Sequence, residues 1–316
     1  MPEEPIIIAT RGSALALAQA RLIFDQCRLT FPRLAFEIKI IKTTGDKKQS
    51  ASLAQAGKSL PKGLFTKELE VALVKQKADL AVHSLKDLPT ELPSGLILGA
   101  VGKREDMRDV LIYKTDAGLG GALSQLAEGA MVATSSPRRQ AQLLAARPDL
   151  RVEEIRGNLP TRLEKLADTE AMAGTVLAAA GLNRLDFSIT AEGALEGDAV
   201  PDGIRAVALD TELMLPCVGQ GAIGIEIRAD DGRIAKICER LNHFNTHAAV
   251  LAERAFLRGM GGGCSSPVGA EATVDGTQLR LRAVSFLNDT VQRAEQTGDL
   301  REPEALGAAV AAELRG

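Results

Sequence analysis

The chain has 316 residues, of which 45% are hydrophobic and 25% are charged. This composition is typical of an ordered globular protein, and the length favours two or three domains. A net charge of −3 and an aromatic content of 3%, with no tryptophan, argue against a basic nucleic-acid binder and against a base-stacking surface. Any anion site must therefore come from local clusters of arginine.

The first hundred residues alternate between apolar segments of strand length and segments with helical periodicity. Ser13 is a suitable N-cap for the first helix, and the Pro-rich sequence KDLPTELPSG indicates a loop. This alternation predicts a mostly parallel sheet with helices on both faces. The predicted order is strand PIIIAT, helix SALALAQARLIFDQCRL, strand FEIKIIKTT, helix TKELEVALVKQK, strand ADLAVHS and strand LILGAVG.

The pattern then restarts and predicts a second α/β unit. Its strands are DVLIYK, AMVATSS and RVEEIRG, its helices are PRRQAQLLAARP and NLPTRLEKLAD, and GTVLAAAGLNRL fits either a strand or a helix. Pro137 suits the first turn of a helix. The segment 191–203 is predicted to be a surface loop, and GIEIRAD is predicted to return to the first sheet. The tail predicts a small α+β module with the helix THAAVLAERAFLRGM, the strands EATVDG and QLRLRAVSFL, and a final Ala-rich helix.

Several arginines lie beside Ser, Thr or Gly where predicted strands lead into helices. In an α/β sheet, these loops combine helix N-termini with arginine side chains and bind carboxylates or phosphates. A single such arginine is equally well explained as a solvated surface charge, but their repetition favours a cleft for a ligand with several negative charges. The loops contain Arg11 with Ser13, then Ser135, Ser136, Arg138 and Arg139, and later Arg156, Arg162 and Arg184.

The segment AVHSLKDLP predicts a strand that ends at His83 and Ser84, followed by a turn with Lys86 and Asp87. A carboxylate at this position could stabilise a cationic intermediate or transfer protons. Aspartate is also common in turns that have no chemical role, so the pattern leaves both interpretations open. His83 on its own is more readily explained as a structural histidine.

Two further segments have less specific patterns. KSLPKG, with Lys58 and Lys62, could be a lid over the cleft or a plain surface loop. In LPCVGQGAIGIE the glycine spacing does not match a dinucleotide-binding turn, so these glycines indicate close backbone packing or close approach to a ligand. Cys217 in this segment is predicted to be a small buried residue.

Cys264 follows three glycines in GMGGGCSSP, after the predicted helix THAAVLAERAFLRGM. One glycine is enough to end a helix, so three of them indicate room or flexibility around the thiol. The thiol could be a nucleophile, for which His243 and His247 would be the nearest bases in sequence, or it could carry a group covalently.

Other features exclude further classes. The N-terminus has neither the basic start nor the long apolar stretch of a signal peptide, and no window reaches the length of a membrane span, so we predict a cytoplasmic protein. The four cysteines form no CxxC pair, which predicts free thiols. The three histidines have no zinc-ligand spacing, and no metal site is predicted.

Taken together and in order, the segments closely resemble the porphobilinogen deaminase family. The resemblance covers most of residues 6–270, whereas the last 45 residues contribute little to it. The matching segments are IATRGSALALAQA, KTTGD, KGLFTKELE, ADLAVHSLKDLPT, KREDMRDV, ATSSPRRQAQL, RGNLPTRLEKL, AAAGLNRL, LPCVGQGAIGIE and AERAFLRGMGGGCSSPVGA.

The resemblance implies an enzyme that joins four porphobilinogen molecules head to tail, releases ammonia at each step and forms the linear tetrapyrrole 1-hydroxymethylbilane. The family's cofactor is a dipyrromethane held by a thioether, here at Cys264, so the glycines would clear space around an anchor. Loss of ammonia from porphobilinogen gives a cationic methylenepyrrolenine. Asp87 matches the family's catalytic carboxylate, which can hydrogen-bond pyrrole N–H groups and stabilise this charge.

The same resemblance implies the binding residues, because each pyrrole carries an acetate and a propionate. Arginine forms bidentate pairs with such groups, so lysine should be a poor substitute. The predicted cofactor-binding residues, besides Cys264, are Ser84, Lys86, Asp87, Ser136, Arg138, Arg139, Arg156 and Gly157. The predicted substrate-binding residues are Arg11, Ser13, Lys58, Lys62, Phe65, Arg156, Arg162 and Arg184.

The implied fold class is α/β with three domains. Two domains resemble periplasmic binding proteins and flank a cleft, and a small α+β C-terminal domain carries the cofactor cysteine. The predicted bounds are 1–103 with 222–239, then 104–221, then 240–316. The family also implies a monomer, with porphobilinogen as the small-molecule partner and with neither nucleic acid nor membrane as partners.

Two other functions fit part of the sequence. A two-domain binding protein for a small polyanion would need the arginines but neither Cys264 nor Asp87, and it would normally carry a signal peptide. A phosphate-transfer enzyme could use the helix N-termini, but the sequence contains neither a Walker motif nor a kinase signature.

Overall fold

The structure is a computed structural model, and it describes residues 4–43, 65–115, 123–198, 200–263, 266–287 and 290–316. In these ranges the α-helices are α1 Ala14–Thr30, α2 Lys67–Val74, α3 Pro137–Ala146, α4 Leu159–Asp168, α5 Ala179–Asn183, α6 Gly232–Leu241, α7 Phe244–Gly259 and α8 Pro303–Arg315. The strands are β1 Ile6–Thr10, β2 Phe36–Ile40, β3 Leu80–Ser84, β4 Leu96–Val101, β5 Asp109–Lys114, β6 Met131–Ala133, β7 Arg151–Glu153, β8 Met172–Ala178, β9 Ser188–Ile189, β10 Leu195–Glu196, β11 Ile204–Ala208, β12 Ile223–Arg228, β13 Val268–Asp275, β14 Gln278–Ser285 and β15 Gln292–Asp299.

The first sheet has the order β2-β1-β3-β12-β4. Strands β1, β2 and β3 are parallel, and β12 runs antiparallel to both of its neighbours. Consecutive side chains of β1 point to opposite faces, so Ile8 packs with α1 and α6 while Ala9 packs with α2. This confirms the mostly parallel sheet with helices on both faces and the return of GIEIRAD to it.

The second sheet has the order β11-β5-β8-β6-β7. Strands β6, β7 and β8 are parallel, and β5 runs antiparallel to β8 and β11. Helix α3 packs on one face through Leu143, and α4 packs on the other through Leu163 and Leu166. The segment GTVLAAAGLNRL is both a strand and a helix, because β8 leads directly into α5.

The third unit is the antiparallel sheet β13-β14-β15 covered by α7 and α8. Its core contains Phe256, Leu279, Leu281 and Val310, all of which are fully buried. Burial of an aromatic or aliphatic side chain of this size stabilises the fold by about 1.5–3 kcal/mol. Strand β15 is absent from the sequence prediction because QRAEQTGD is largely polar, as is common for an edge strand.

The prediction that 191–203 is only a surface loop is wrong. Strands β9 and β10 form an antiparallel pair in this region, with Leu195 opposite Ile189. Leu195 is buried in the core of the second unit. Leu195 and the partly buried Val200 pack this segment against the core of the second unit although most of its residues are polar.

Two crossover segments join the first and second units, residues 102–108 and residues 209–222. Glu253 on α7 of the third unit contacts both of them. Its carboxylate accepts from the guanidinium of Arg104 at 2.6 and 3.0 Å and from the backbone N–H of Gly219 at 2.8 Å. Because Glu253 is fully buried, this contact fixes the third unit on the connection between the other two.

Candidate active site

Arg11 and Asp87 follow adjacent parallel strands of the first sheet at the same edge. Arg11 comes directly after β1, and Asp87 lies in the 3-10 turn Leu85–Asp87 after β3. Both side chains line one cavity. A basic and an acidic group therefore meet where α/β sheets commonly bind ligands.

Part of the wall of this cavity is formed by the predicted substrate-binding residues Arg11, Ser13 and Phe65. The guanidinium of Arg11 lies over the ring of Phe65, 4.3 Å from its centroid, in a cation–π contact. Ser13 is the N-cap of α1, and its hydroxyl accepts from the N–H of Ala16 at 3.3 Å. Ser84 and the buried Gln19 are hydrogen-bonded at 2.9 Å. These contacts orient the groups that face the cavity.

The turn that carries Asp87 separates apolar from polar side chains. Leu85 and Leu88 are buried, Lys86 is partly buried, and Asp87 is exposed. The N–H of Leu85 donates to the carbonyl of Ala222 at 3.0 Å, and that of Leu88 donates to the carbonyl of Leu85 at 3.1 Å. The turn is thus anchored by its leucines while its carboxylate remains accessible.

Lys86 lies where the first and second units approach each other. Burial lowers the pKa of its ammonium group, Asp87 raises the pKa, and the positive charge of Arg139 in the second unit lowers it further. An ammonium with a lowered pKa gains most from a negatively charged ligand. The position therefore suits a carboxylate that reaches both units.

Three strand-end loops of the second sheet carry the other predicted residues. Ser136 caps α3 and accepts from the N–H of Arg139 at 3.4 Å, with Pro137 in the first turn. Gly157 follows β7 with a φ of +125°, in a region that favours glycine. Its carbonyl accepts from Nε of Arg162 at 2.9 Å.

Arg138 and Arg139 are buried, and both bind a carboxylate of the protein itself. Asp109, the first residue of β5, forms an ion pair with Arg138, with 2.7 Å between Oδ2 and Nη1, and its Oδ1 accepts from Nε and Nη2 of Arg139 at 3.1 and 2.7 Å. Burial alone would raise the pKa of Asp109, but the two guanidinium groups hold it well below its usual range. Contact of these arginines with a ligand stays a prediction.

Arg162 and Arg184 differ from that pair. Burial and the nearby Arg139 lower the pKa of Arg162 to about 10. Burial also lowers the pKa of Arg184, and Glu105 only partly opposes this. Nη2 of Arg184 donates to the carbonyl of Gly221 at 2.6 Å. Arg156 instead is exposed and paired with Glu154 at 3.0 Å.

The cationic side chains described above suit a ligand that carries several carboxylates. Burial lowers the pKa of Lys86, Arg162 and Arg184. A ligand with acetate and propionate side chains would stabilise their positive charges. In the described ranges, no group of three His, Cys, Asp or Glu side chains could hold a metal ion.

His83 has a structural partner, as the sequence suggests. Its Nε2 lies 2.9 Å from Oε2 of Glu226 on β12, and both side chains are buried. Burial raises the pKa of the neighbouring Glu70, Glu226 raises it further, and His83 opposes this. Cys217, predicted to be a small buried residue, is half-buried and lies near Lys86 and Arg138.

Three predicted site residues, Lys58, Lys62 and Cys264, lie outside the described residues. The glycines before Cys264 directly follow α7, and Gly261 has a φ of +67°. Gly263 and Ser266 are hydrogen-bonded across it, with the N–H of Gly263 donating to the serine hydroxyl at 3.1 Å and the N–H of Ser266 donating to the carbonyl of Gly263 at 2.9 Å.

Gly219 packs directly against the turn that carries Asp87. It has a φ of +72°, and a Cβ atom would lie 3.3 Å from both the carbonyl carbon of Leu85 and the N atom of Lys86. We expect Gly219→Ala to cost about 1–2 kcal/mol of stability from backbone strain and to lower kcat about fivefold or more by displacing the turn.

Gly129→Ala is the matched control for this prediction. Gly129 has a φ of +70°, and a Cβ atom there would meet no neighbour within 4 Å. It should lose similar stability and keep its kcat. Equal kcat values for both variants, measured at saturating substrate, would show that the contact at Gly219 does not position the turn.

Three charged residues of the structure were not predicted from the sequence: Asp109, Glu253 and Arg254. Asp109 is separated from its arginines by about thirty residues, and no local motif marks it. Glu253 and Arg254 lie within a helical segment whose periodicity explains apolar residues only. A charged residue at a core-facing helical position is the signal that could have found them, because burial of a charge requires a partner.

The fold and the site define an α/β protein with two sheets, in which an arginine and an accessible carboxylate line a cavity at the strand ends of the first sheet and further arginines follow strands of the second. Residues 6–236 match the family model "Porphobilinogen deaminase, dipyromethane cofactor binding domain", and residues 247–316 match "Porphobilinogen deaminase, C-terminal domain". The chain belongs to the porphobilinogen deaminase family. It is accordingly an enzyme of the transferase type in porphyrin biosynthesis, with a dipyrromethane cofactor-binding domain.

Relatives named porphobilinogen deaminase match nearly the whole chain. The one from Desulforudis audaxviator is 46% identical over 98% of this chain and 94% of its own length. Those from Thermus thermophilus and Paracoccus denitrificans are 45% and 44% identical, over 96% and 100% of this chain and 92% and 95% of their own lengths.

Solved structures show a more distant similarity. The BvgS VFT2 domain of Bordetella pertussis is 15% identical with a TM-score of 0.43, over 76% of this chain and 86% of that domain. The periplasmic aliphatic sulphonate binding protein SsuA from Escherichia coli is 12% identical with a TM-score of 0.40, over 81% of this chain and 70% of SsuA. The α/β fold class with two sheet units and a C-terminal α+β unit follows from the sheets described above.

Proposed function

We propose that the chain is a hydroxymethylbilane synthase that condenses four porphobilinogen molecules head to tail on a dipyrromethane bound to Cys264. In each step the aminomethyl carbon of porphobilinogen loses ammonia and bonds to the free α-carbon of the preceding pyrrole, which then loses its proton. Water finally releases 1-hydroxymethylbilane. The arrangement that supports this most is the exposed Asp87, which lines a cavity together with Arg11 and Ser13 and adjoins Lys86, whose ammonium group is near Arg139 of the second unit.

Asp87 would act on the charge that develops when ammonia leaves. The departure leaves a cation delocalised over the pyrrole, and a carboxylate near the pyrrole N–H accepts its hydrogen bond and stabilises the charge. The same carboxylate is placed to take part in proton transfers. Its exposure at the end of β3 gives a ring access to it, and the buried leucines on either side hold it in place.

The cations would bind the acetate and propionate groups. Arg11, stacked on Phe65, and Ser13 would hold the incoming substrate in the first unit. Lys86, Arg162 and Arg184 would hold rings that extend towards the second unit. The proposed cofactor site also contains Ser84, Ser136, Arg138, Arg139, Arg156 and Gly157. The proposed substrate site also contains Lys58 and Lys62. When bound, the dipyrromethane supplies the pyrrole carbon to which the first substrate is joined.

The direct test is to incubate the purified protein with porphobilinogen and to measure ammonia and product together. We expect four ammonia molecules for each molecule of 1-hydroxymethylbilane. Binding of porphobilinogen without ammonia release would favour the alternative of a polyanion-binding protein. That alternative is supported only by the cationic site, which a binding protein would also need.

We expect Arg162→Gln to raise KM about 10- to 100-fold, because a buried charge-assisted pair with a ligand carboxylate is lost. Arg151→Gln is the control, since Arg151 is exposed on β7. Steady-state kinetics with porphobilinogen measures both. An unchanged KM for Arg162→Gln would remove this arginine from the ligand-binding set.

The remaining assignments extend the proposal to the whole molecule. We propose domain bounds of 1–103 with 222–239, 104–221 and 240–316, a monomeric state and a cytoplasmic location. No helix in the described part of the chain is long and apolar enough to cross a membrane. Sedimentation equilibrium tests the oligomeric state, and a measured mass of two chains would contradict the proposed monomer.

A further inference from the structure

Helix α7 of the third unit lies behind the turn that carries Asp87. Val250 on this helix is fully buried and belongs to the same apolar cluster as Leu85 and Leu88, the leucines on either side of the Lys86–Asp87 pair. The turn therefore rests on α7 through its apolar side, while the carboxylate points away from the helix and into the cavity.

Arg254, one helical turn after Val250, makes the polar contact to the same turn. Its side chain is buried, with 6% exposed. Nη1 donates to the carbonyl of Leu88 at 3.1 Å, and Nη2 donates to the carbonyl of Pro89 at 2.6 Å. One rigid guanidinium thus holds two consecutive carbonyls directly after Asp87.

The local sequence explains why these carbonyls need an external donor. Leu88 precedes a proline and has extended backbone, with φ −83° and ψ 125°. Proline disfavours helical backbone at the residue before it and has no N–H of its own. The 3-10 turn therefore cannot continue past Asp87, and Arg254 supplies the donors in place of a longer helix.

Helix α7 is itself held firmly at this level. Glu253, the neighbour of Arg254, binds Arg104 and the N–H of Gly219 on the two crossover segments. It also accepts from the N–H of Ala272 on β13 at 2.9 Å. The guanidinium of Arg254 is thus presented from a fixed support.

We propose that Arg254 is a positioning residue for Asp87: its bidentate contact with Leu88 and Pro89 sets where the carboxylate stands during the reaction. This inference rests on the proposed function. Arg254 contacts backbone carbonyls of the turn and is not among the residues that line the cavity, so its loss should impair the chemical step and leave substrate affinity largely unchanged. Misplacement of a reacting group by about 1 Å is enough to slow an enzyme considerably.

The test compares Arg254→Lys with Arg258→Lys. Lysine keeps the positive charge but has no planar fork for two carbonyls. Arg258 lies one turn further along α7, is exposed and pairs with Glu304 on α8, so it undergoes the same substitution away from the turn. We expect kcat to fall about tenfold for Arg254→Lys, with KM within about twofold of the unsubstituted protein, and neither value to change for Arg258→Lys.

A second comparison separates positioning from general loss of structure. In an Asp87→Asn background, Arg254→Lys should lower the single-turnover rate by less than about twofold, because the group that it positions is already gone. A tenfold loss in both backgrounds would overturn the proposal, and so would a kcat of Arg254→Lys equal to that of the unsubstituted protein.

Amide hydrogen exchange supplies a readout independent of catalysis. In Arg254→Lys, exchange should become faster in residues 85–92 and stay unchanged in β1 and α1. Faster exchange throughout the first unit would contradict the proposal. If Arg254→Lys is insoluble, Arg254→Gln is measured in the same way, and its failure to fold as well would assign Arg254 to stability and overturn the positioning role.

If the unsubstituted protein releases no ammonia from porphobilinogen, the proposed function fails, whereas normal activity with an unaffected Arg254→Lys refutes only the inference.

Discussion

Asp87→Asn should lower kcat about 100- to 1,000-fold, the range expected when a preorganised group that stabilises transition-state charge is removed. Asparagine has nearly the same shape as aspartate, and the side chain is exposed at the end of β3, so the fold should not change. The amide can still accept a hydrogen bond from a pyrrole N–H, but it brings no negative charge to the developing cation. The loss should therefore appear in kcat more than in KM.

Asp168→Asn is the matched control for this substitution. Asp168 is an exposed carboxylate at the end of α4, away from the cavity. Its kcat and circular dichroism should equal those of the unsubstituted protein. If Asp87→Asn retained more than about a tenth of the normal kcat, Asp87 would have no direct part in stabilising charge.

Asp109→Asn should cost about 3–5 kcal/mol of unfolding free energy, as expected when one partner of a buried ion pair is removed. The carboxylate is fully buried and compensates two arginines, Arg138 and Arg139. It also accepts from Nε2 of Gln220 on a crossover segment at 3.0 Å. Without its charge, two guanidinium groups stay buried in the second unit with too little negative charge near them. Urea unfolding measures the loss.

Asp149→Asn provides the comparison for Asp109→Asn. Asp149 also pairs with an arginine, Arg147, at 2.6 Å, and the pKa of both aspartates is held well below its usual range. Both side chains of the Asp149 pair are only partly buried, so its loss should change stability less. If Asp109→Asn and Asp149→Asn lost the same free energy of unfolding, burial of Asp109 would not explain its contribution to stability.

The carboxylate of Asp109 also makes the free energy of unfolding depend on pH. Because the pKa of Asp109 is lower in the folded than in the unfolded chain, its contribution is complete above the unfolded value of about 3.9 and is lost as the pH falls through the folded value. The difference in stability between the unsubstituted protein and Asp109→Asn should thus be constant from about pH 5 to 8. It should shrink only below about pH 4. A difference that changed near pH 6 would point to another group.

Much of the architecture was predictable because local patterns repeat strongly. Alternating strands and helices in the first two units, with a proline at the start of α3, fix both the elements and the sheet edge at which the arginines follow the strands. That order predicts that Arg11 and Asp87 each follow a strand, whereas the adjacency of β1 and β3 is known only from the assembled sheet. Strand β11 was not predicted because it pairs with β5, far earlier in the chain, and β15 was not predicted because its sequence is largely polar.

The partners of the charged groups could not be predicted from local sequence. Arg138 and Arg139 were assigned to ligand carboxylates, yet Asp109 binds both, and only the packing of β5 beside α3 reveals this. Arg254 was part of a helix with no assigned role, although its guanidinium reaches Leu88 and Pro89 about 165 residues away. Long-range polar contacts of this kind depend on the assembled units.

Intact mass of the denatured protein, before and after addition of porphobilinogen and beside a Cys264→Ala variant, tests the central claim most directly. The unsubstituted protein should carry the additional mass of two porphobilinogen units less two ammonia molecules, either as isolated or after the addition. It should also gain further increments of one porphobilinogen less one ammonia during turnover, and none of these gains should appear in Cys264→Ala. An unmodified mass after addition of porphobilinogen, or an equal gain in Cys264→Ala, would contradict a covalent dipyrromethane at this cysteine.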